Sequence, residues 1–135
     1  MHTAEDVADS VRSALTAVGE ALSKQGLGWR DAVYVHLYLS DMGAFATANK
    51  AYVEHINHKD PPARACVQAQ ALPEGALAAV EVTAAVGASE GREVLHVQSI
   101  SYWAAACIGP YAQGGGAVHV RMRVCEHLRV SACAQ

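Results

Sequence analysis

The chain has 135 residues, of which 52% are hydrophobic and 17% charged, and a formal net charge of -3. That is one domain's worth of sequence with room for a tail. The charge balance argues against a basic nucleic-acid clamp, and no run of about 18 uncharged apolar residues is present to span a bilayer.

A chain of this size can bury roughly two-thirds of its unfolded surface, so a real core is expected. Aromatic residues make up only 6%, which leaves the core to small aliphatic side chains. The start, Met1-His2-Thr3-Ala4-Glu5-Asp6, is acidic and lacks a basic-then-apolar export signal, so the cytosol is the default compartment. Cys66, Cys107, Cys125 and Cys133 contain no C-x-x-C pair and read as free thiols in a reducing compartment. Cys125-Glu126-His127 and His55-Ile56-Asn57-His58 lack the partner pair of a closed zinc site, so no metal is expected.

Val7, Val11, Leu15, Val18 and Leu22 line one face of a first helix. Thr3 and Asp6 resemble a capping box at its start. Gly26 and Gly28 end it through the positive φ that glycine tolerates. A strand follows over Ala32–Leu39, with Val33, Val35, Leu37 and Leu39 on an aliphatic face and Tyr34, His36 and Tyr38 opposite. Ser40 and Asp41 offer oxygens to the next helix N-terminus. That helix should run from about Gly43 to Asn57, with Phe45, Ala48, Tyr52 and Ile56 as its buried stripe, and stop before Asp60-Pro61-Pro62.

Residues 62–69 read as a second strand, with Arg64, Cys66 and Gln68 on one face and Ala65, Val67 and Ala69 on the other. Leu72-Pro73-Glu74-Gly75 is a turn. A third strand covers 77–86, with Val80, Val82, Ala84 and Val86 facing away from Glu81 and Thr83. The order α-β-α-β-β implies an α+β fold with two helices on one sheet face. Beyond it, 87–93 reads as a linker, 94–100 as a short strand, 114–116 as irregular and 117–124 as another strand.

The stretch most informative about chemistry is Pro61-Pro62-Ala63-Arg64-Ala65-Cys66-Val67. A double proline delivers a guanidinium, whose donor fork matches a carboxylate, onto a strand beside a thiol. Arg64 either lines a cleft and selects a small carboxylate-bearing molecule or pairs with a surface acid. Cys66 is a nucleophile if its neighbouring cation lowers its pKa, and otherwise a small buried hydrophobe. Glu81 could hold a water, pair with Arg64 or simply be solvated. His36 lies between Tyr34 and Tyr38, and one histidine on a strand does not establish acid–base catalysis. There is no phosphate loop: Gly114-Gly115-Gly116 lacks the lysine and the strand-to-helix setting that phosphate cradling needs.

Several motifs together resemble the RidA/YjgF (endoribonuclease L-PSP-like) family. They are Val35-His36-Leu37-Tyr38-Leu39-Ser40-Asp41-Met42, the spacing Phe45, Asn49, Tyr52, the Pro61–Gln68 run, Leu72-Pro73 and Val80-Glu81-Val82. The resemblance spans about residues 3–87. It implies a chorismate-mutase-like subunit in a homotrimer with clefts between subunits. There the arginine at position 64 grips the carboxylate of an enamine or imine acid of the 2-aminoacrylate type, which is hydrolysed to a keto acid and ammonia. Arg64, Cys66, Glu81 and Tyr111 are the substrate-binding residues it implies; no catalytic residue is assigned. The charge balance lends no support to ribonuclease activity.

The sequence departs from the family pattern in three ways. The hairpin that precedes the first helix in the family is missing here. The family's E-I-E strand reads Ala79-Val80-Glu81, so the glutamate linked to water activation is replaced by alanine. An Ile108-Gly109-Pro110-Tyr111-Ala112-Gln113 copy of the family's leading motif follows the core instead of preceding it. The order resembles the junction of tandem RidA-like domains at the carboxyl end of eukaryotic diphthine–ammonia ligases. That likeness implies residues 1–88 as a RidA-like core, and 89–135 as a linker, the opening of a second repeat and a divergent tail. It also implies a parent that uses ATP to amidate diphthine on elongation factor 2, with no cofactor in this chain. The module then serves assembly or metabolite binding, or alternatively works as an imine deaminase.

Overall fold

The computed structural model describes residues 2–95, 109–117 and 128–134. Helix α1 spans Ala4–Lys24. Its capping box is formed: Asp6 N donates to Thr3 Oγ1 at 3.2 Å, and Thr3 N to the Asp6 carboxylate at 2.6 Å. The bond from Thr3 N, with a second from Thr3 Oγ1 at 2.8 Å, holds the Asp6 carboxyl below the usual carboxylate range. At the other end Gly26 takes φ 72° just after the helix. Gly28 does not share that role; its φ is -133°, and it starts a short 3-10 turn with Asp31. Val7, Val11, Leu15, Val18 and Leu22 are all buried, as the heptad-like spacing requires.

Strand β1 is Ala32–Leu39 and helix α2 is Phe45–His55, with a 3-10 turn over Met42–Ala44 between them. The alternation in β1 has one fault. A register shift between Ala32 and Tyr34 buries Ala32 and moves Val33 off the aliphatic face. Strand β2 is Ala63–Gln68 and β3 is Ala78–Ala84, each shorter than its sequence pattern suggests. Arg12 ties the helices together from outside, donating to both oxygens of Glu54 on α2 at 3.0 and 3.2 Å.

Three further strands follow: β4, Arg92–Leu95; β5, Gly114–Ala117; and β6, Leu128–Ala134. The main sheet has the order β2-β1-β3-β6, and β4 and β5 form a separate antiparallel pair. Gly114–Gly116 is therefore strand rather than irregular chain. Pairing with Glu93, Val94 and Leu95 supplies what the glycines' poor strand propensity does not. The proposed strands over 94–100 and 117–124 lie outside the described residues except for Val94, Leu95 and Ala117. Cys107, Cys125 and His127 also lie outside them.

The two helices cover one sheet face, against Val35, Leu37, Leu39, Val80 and Val82. The architecture is α+β with helices on one side, as the element order implies. Among the described residues no helix is long and apolar enough to cross a membrane. Leu37 is fully buried at the centre of β1, between β2 and β3. Leu37→Ala should cost about 2–5 kcal/mol of unfolding free energy. Val86→Ala, at a side chain 75% exposed, should stay within about 0.5 kcal/mol. Urea unfolding of both variants checks the contrast.

Candidate functional site

The site is set by the parallel pairing of β2 with β1. Arg64 lies beside Val35 and Cys66 beside Leu37. Neighbours across a ladder point to the same side, so Arg64 and Cys66 stand on the face that the helices cover. The guanidinium therefore meets α2. Its Nη1 donates to Asn49 Oδ1 at 2.8 Å. The Tyr52 ring lies 4.5 Å from Cζ and the Phe45 ring 5.7 Å. Phe45, Asn49 and Tyr52 are spaced four and three residues apart, which places them on one helical stripe.

A further side chain joins this group from far downstream. The Tyr111 ring lies 4.6 Å from Arg64 Cζ. Its segment runs beside β2: Ala112 N donates to Pro62 O at 3.1 Å, and Ala112 forms a parallel bridge with Ala63. Gly109 passes so close that a Cβ there would lie 2.7 Å from Asn49 Oδ1 and 3.2 Å from Arg64 Nη2. The result is a cation among three aromatic rings, a setting in which each cation–π contact contributes about 0.5–2 kcal/mol.

Burial pushes the Cys66 thiol above the ordinary cysteine range, and Arg64 only partly offsets this. It is a free cysteine, half-buried and packed against the core. A thiolate nucleophile needs the opposite balance. Tyr52 is fully buried, and its hydroxyl has no hydrogen-bond partner among the described residues. Desolvation raises its pKa, so it stays a proton donor.

Glu81 is not brought to Arg64. It pairs with His36 across the β1–β3 ladder, which puts it on the opposite, helix-free face. There Tyr38 Oη donates to Glu81 Oε2 at 3.4 Å, His36 Nδ1 stands 3.9 Å from the same oxygen, and His36 Nε2 lies 3.0 Å from Tyr34 Oη. The sheet thus separates Glu81 from the other three expected site residues: Arg64 and Cys66 share the helix-covered face, and Tyr111 meets Arg64 there. Sequence reasoning gave Asn49 no role at the site. Its signal was a polar residue within an apolar helical stripe. Among the described residues no three His, Cys, Asp or Glu side chains gather as a metal site.

The chain resembles known proteins in this same region. Residues 1–86 match the family model described as endoribonuclease L-PSP. A diphthine–ammonia ligase of Schizosaccharomyces pombe is 36% identical over 101 residues, covering 75% of this chain and 16% of that protein. A human 2-iminobutanoate/2-iminopropanoate deaminase is 33% identical over 81 residues, covering 60% of this chain and 58% of the relative. RidA from the Antarctic bacterium Psychrobacter sp. PAMC 21119 superimposes with a TM-score of 0.51 at 28% identity, over 53% of this chain and 58% of that one. The chain spans only part of each relative, and a small part of the ligase. With most of its length matched by the family model and its fold shared with a RidA structure, the chain belongs to the endoribonuclease L-PSP family, also called RidA/YjgF.

Proposed function

We propose that this chain is a small-metabolite-binding module of a diphthine–ammonia ligase-like protein, and that Arg64 receives the ligand's carboxylate. The observation that carries this reading is the guanidinium held between Asn49 and the rings of Tyr52 and Tyr111. Such a mount fixes the planar fork before a ligand arrives, which lowers the ordering cost of binding. The module is cytoplasmic and works in a homotrimer. Val67, 44% exposed, lies with Tyr34, His36 and Tyr38 on the helix-free face and gives the copies an apolar contact. ATP and elongation factor 2 belong to the parent enzyme, not to this part.

Two features favour binding over turnover. The thiol beside Arg64 is kept protonated by burial. Position 79, where the family pattern has a glutamate, is alanine. The alternative, a working imine deaminase, draws on the 33% identity to the human deaminase.

Calorimetric titration with 2-oxobutanoate, the keto acid that hydrolysis of 2-iminobutanoate releases, tests the binding reading. Arg64→Ala should weaken it by about 2–5 kcal/mol, a loss of at least about 30-fold. Arg64→Lys, which keeps the charge without the fork, should fall between. Turnover of 2-aminoacrylate by the unaltered chain, abolished in Arg64→Ala, would reject the binding-only reading in favour of the deaminase.

Cys66 gives an independent check. Its alkylation by iodoacetamide should show a pH midpoint higher in the native chain than in the urea-unfolded chain, followed on the Cys66 peptide by mass spectrometry. Because the folded thiol loses its proton at higher pH, the native rate below the midpoint is the slower one. Removing the cation with Arg64→Leu should move the native midpoint further up. A native midpoint below the unfolded one would restore Cys66 as a nucleophile.

A further inference from the structure

Besides α2, a segment that follows the core meets the Arg64 guanidinium. Five observations place it there. The Tyr111 ring lies 4.6 Å from Arg64 Cζ. Ala112 is buried and bridges to Ala63 on the outer edge of β2. Its N–H donates to Pro62 O at 3.1 Å. Gln113 N donates to Leu95 O at 2.9 Å, and β4, which carries Leu95, is itself anchored where Arg92 donates to Ala32 O and Asp60 O. Finally, Gly109 leaves no space for a side chain next to Asn49 and the Arg64 fork.

We propose that Gly109–Gln113 is a built-in wall of the Arg64 cleft, supplied by the same chain that carries Arg64. The residues after the core then complete the first module instead of opening a second one. The order of parts along the chain is permuted, with the wall after the sheet it closes. Within this wall Gly109 is a positioning residue. Any side chain there would push the Asn49 amide off Nη1 or rotate the fork itself, because the nearest atoms belong to those two groups. Tyr111 is the ring that bounds the ligand space.

The ligand arm of this proposal rests on the carboxylate reading above; the docking arm does not. For docking, Ala63→Cys and Ala112→Cys are combined in the full chain. Bridged neighbours are within the Cα range that a disulfide can close. Unlabelled and 15N-labelled chains are unfolded together, refolded, oxidised and digested, and the 63–112 disulfide-linked peptide is weighed. Isotope-pure linked peptides are the expected result. Isotope-mixed ones would mean that the wall is donated by another copy, as in an array of repeats, and would overturn the proposal. So would absence of the linkage.

For the ligand, Gly109→Val should raise the dissociation constant for 2-oxobutanoate at least tenfold. Gly115→Ala, whose Cβ meets nothing nearer than 3.6 Å, should leave it unchanged. An unaltered constant in Gly109→Val would remove Gly109 from the site and overturn that part. If the unaltered chain does not bind 2-oxobutanoate, the carboxylate reading fails, and the linkage experiment alone decides the wall.

Discussion

Everything at the candidate site follows from one constraint: a guanidinium stands on the sheet face that the helices cover. Parallel pairing of Arg64 with Val35 puts it there. Removing a cation from water is costly unless its surroundings replace the lost hydration. Here the replacement is the Asn49 carbonyl oxygen and the rings of Tyr52, Phe45 and Tyr111. Each of those groups is in turn tied down. Asn49, Phe45 and Tyr52 ride on α2, which Arg12 of α1 holds through Glu54. Tyr111 is carried by a segment hydrogen-bonded to β2. The position of the fork is thus a property of the packed domain, not of one flexible side chain.

The same constraint sets the character of Cys66. A thiol two residues along β2 shares the face and the partial burial. Proximity to a cation and desolvation act on it in opposite directions, and desolvation is the larger effect. Spacing along a strand therefore predicts which groups are neighbours but not which form of an ionisable group survives. That outcome depends on how much water the covering helix excludes, a quantity absent from the linear order.

Much of the core was legible in the sequence because periodicity reports burial directly. Val7 to Leu22 on α1, and Val35, Leu37 and Leu39 on β1, are buried where their spacing puts them. Strand β2 shows where this reasoning stops. Its pattern assigns Arg64, Cys66 and Gln68 to one face, yet Ala65, Val67 and Ala69 look like the better core. The pairing with β1 decides the matter the other way, and Val67 is left exposed. The face of Glu81 relative to Arg64 is undetermined in the sequence for the same reason: a β-strand's period of two gives its face relative to Val80 but not relative to a residue on another strand. The register shift after Ala32 and the strand at Gly114–Gly116 are products of pairing too, and no local propensity announces either.

The placement of Tyr111 also bears on why a wall supplied within one chain is physically favoured. Closing a chain segment onto its own sheet costs entropy that grows only with the logarithm of loop length. Once tethered, such a segment is present at an effective concentration in the millimolar range. A segment from another copy must compete from whatever concentration the protein itself reaches, and pays the full cost of association. The bonds from Ala112 to Pro62 and from Gln113 to Leu95 need only offset the smaller, intramolecular cost. The outer edge of β2 gains a backbone partner at its start, Pro62–Ala63, in the same step, which shortens the open strand edge left to recruit another chain. Closing the cleft and protecting the edge are thus one event, and the guanidinium at Arg64 is where the two meet.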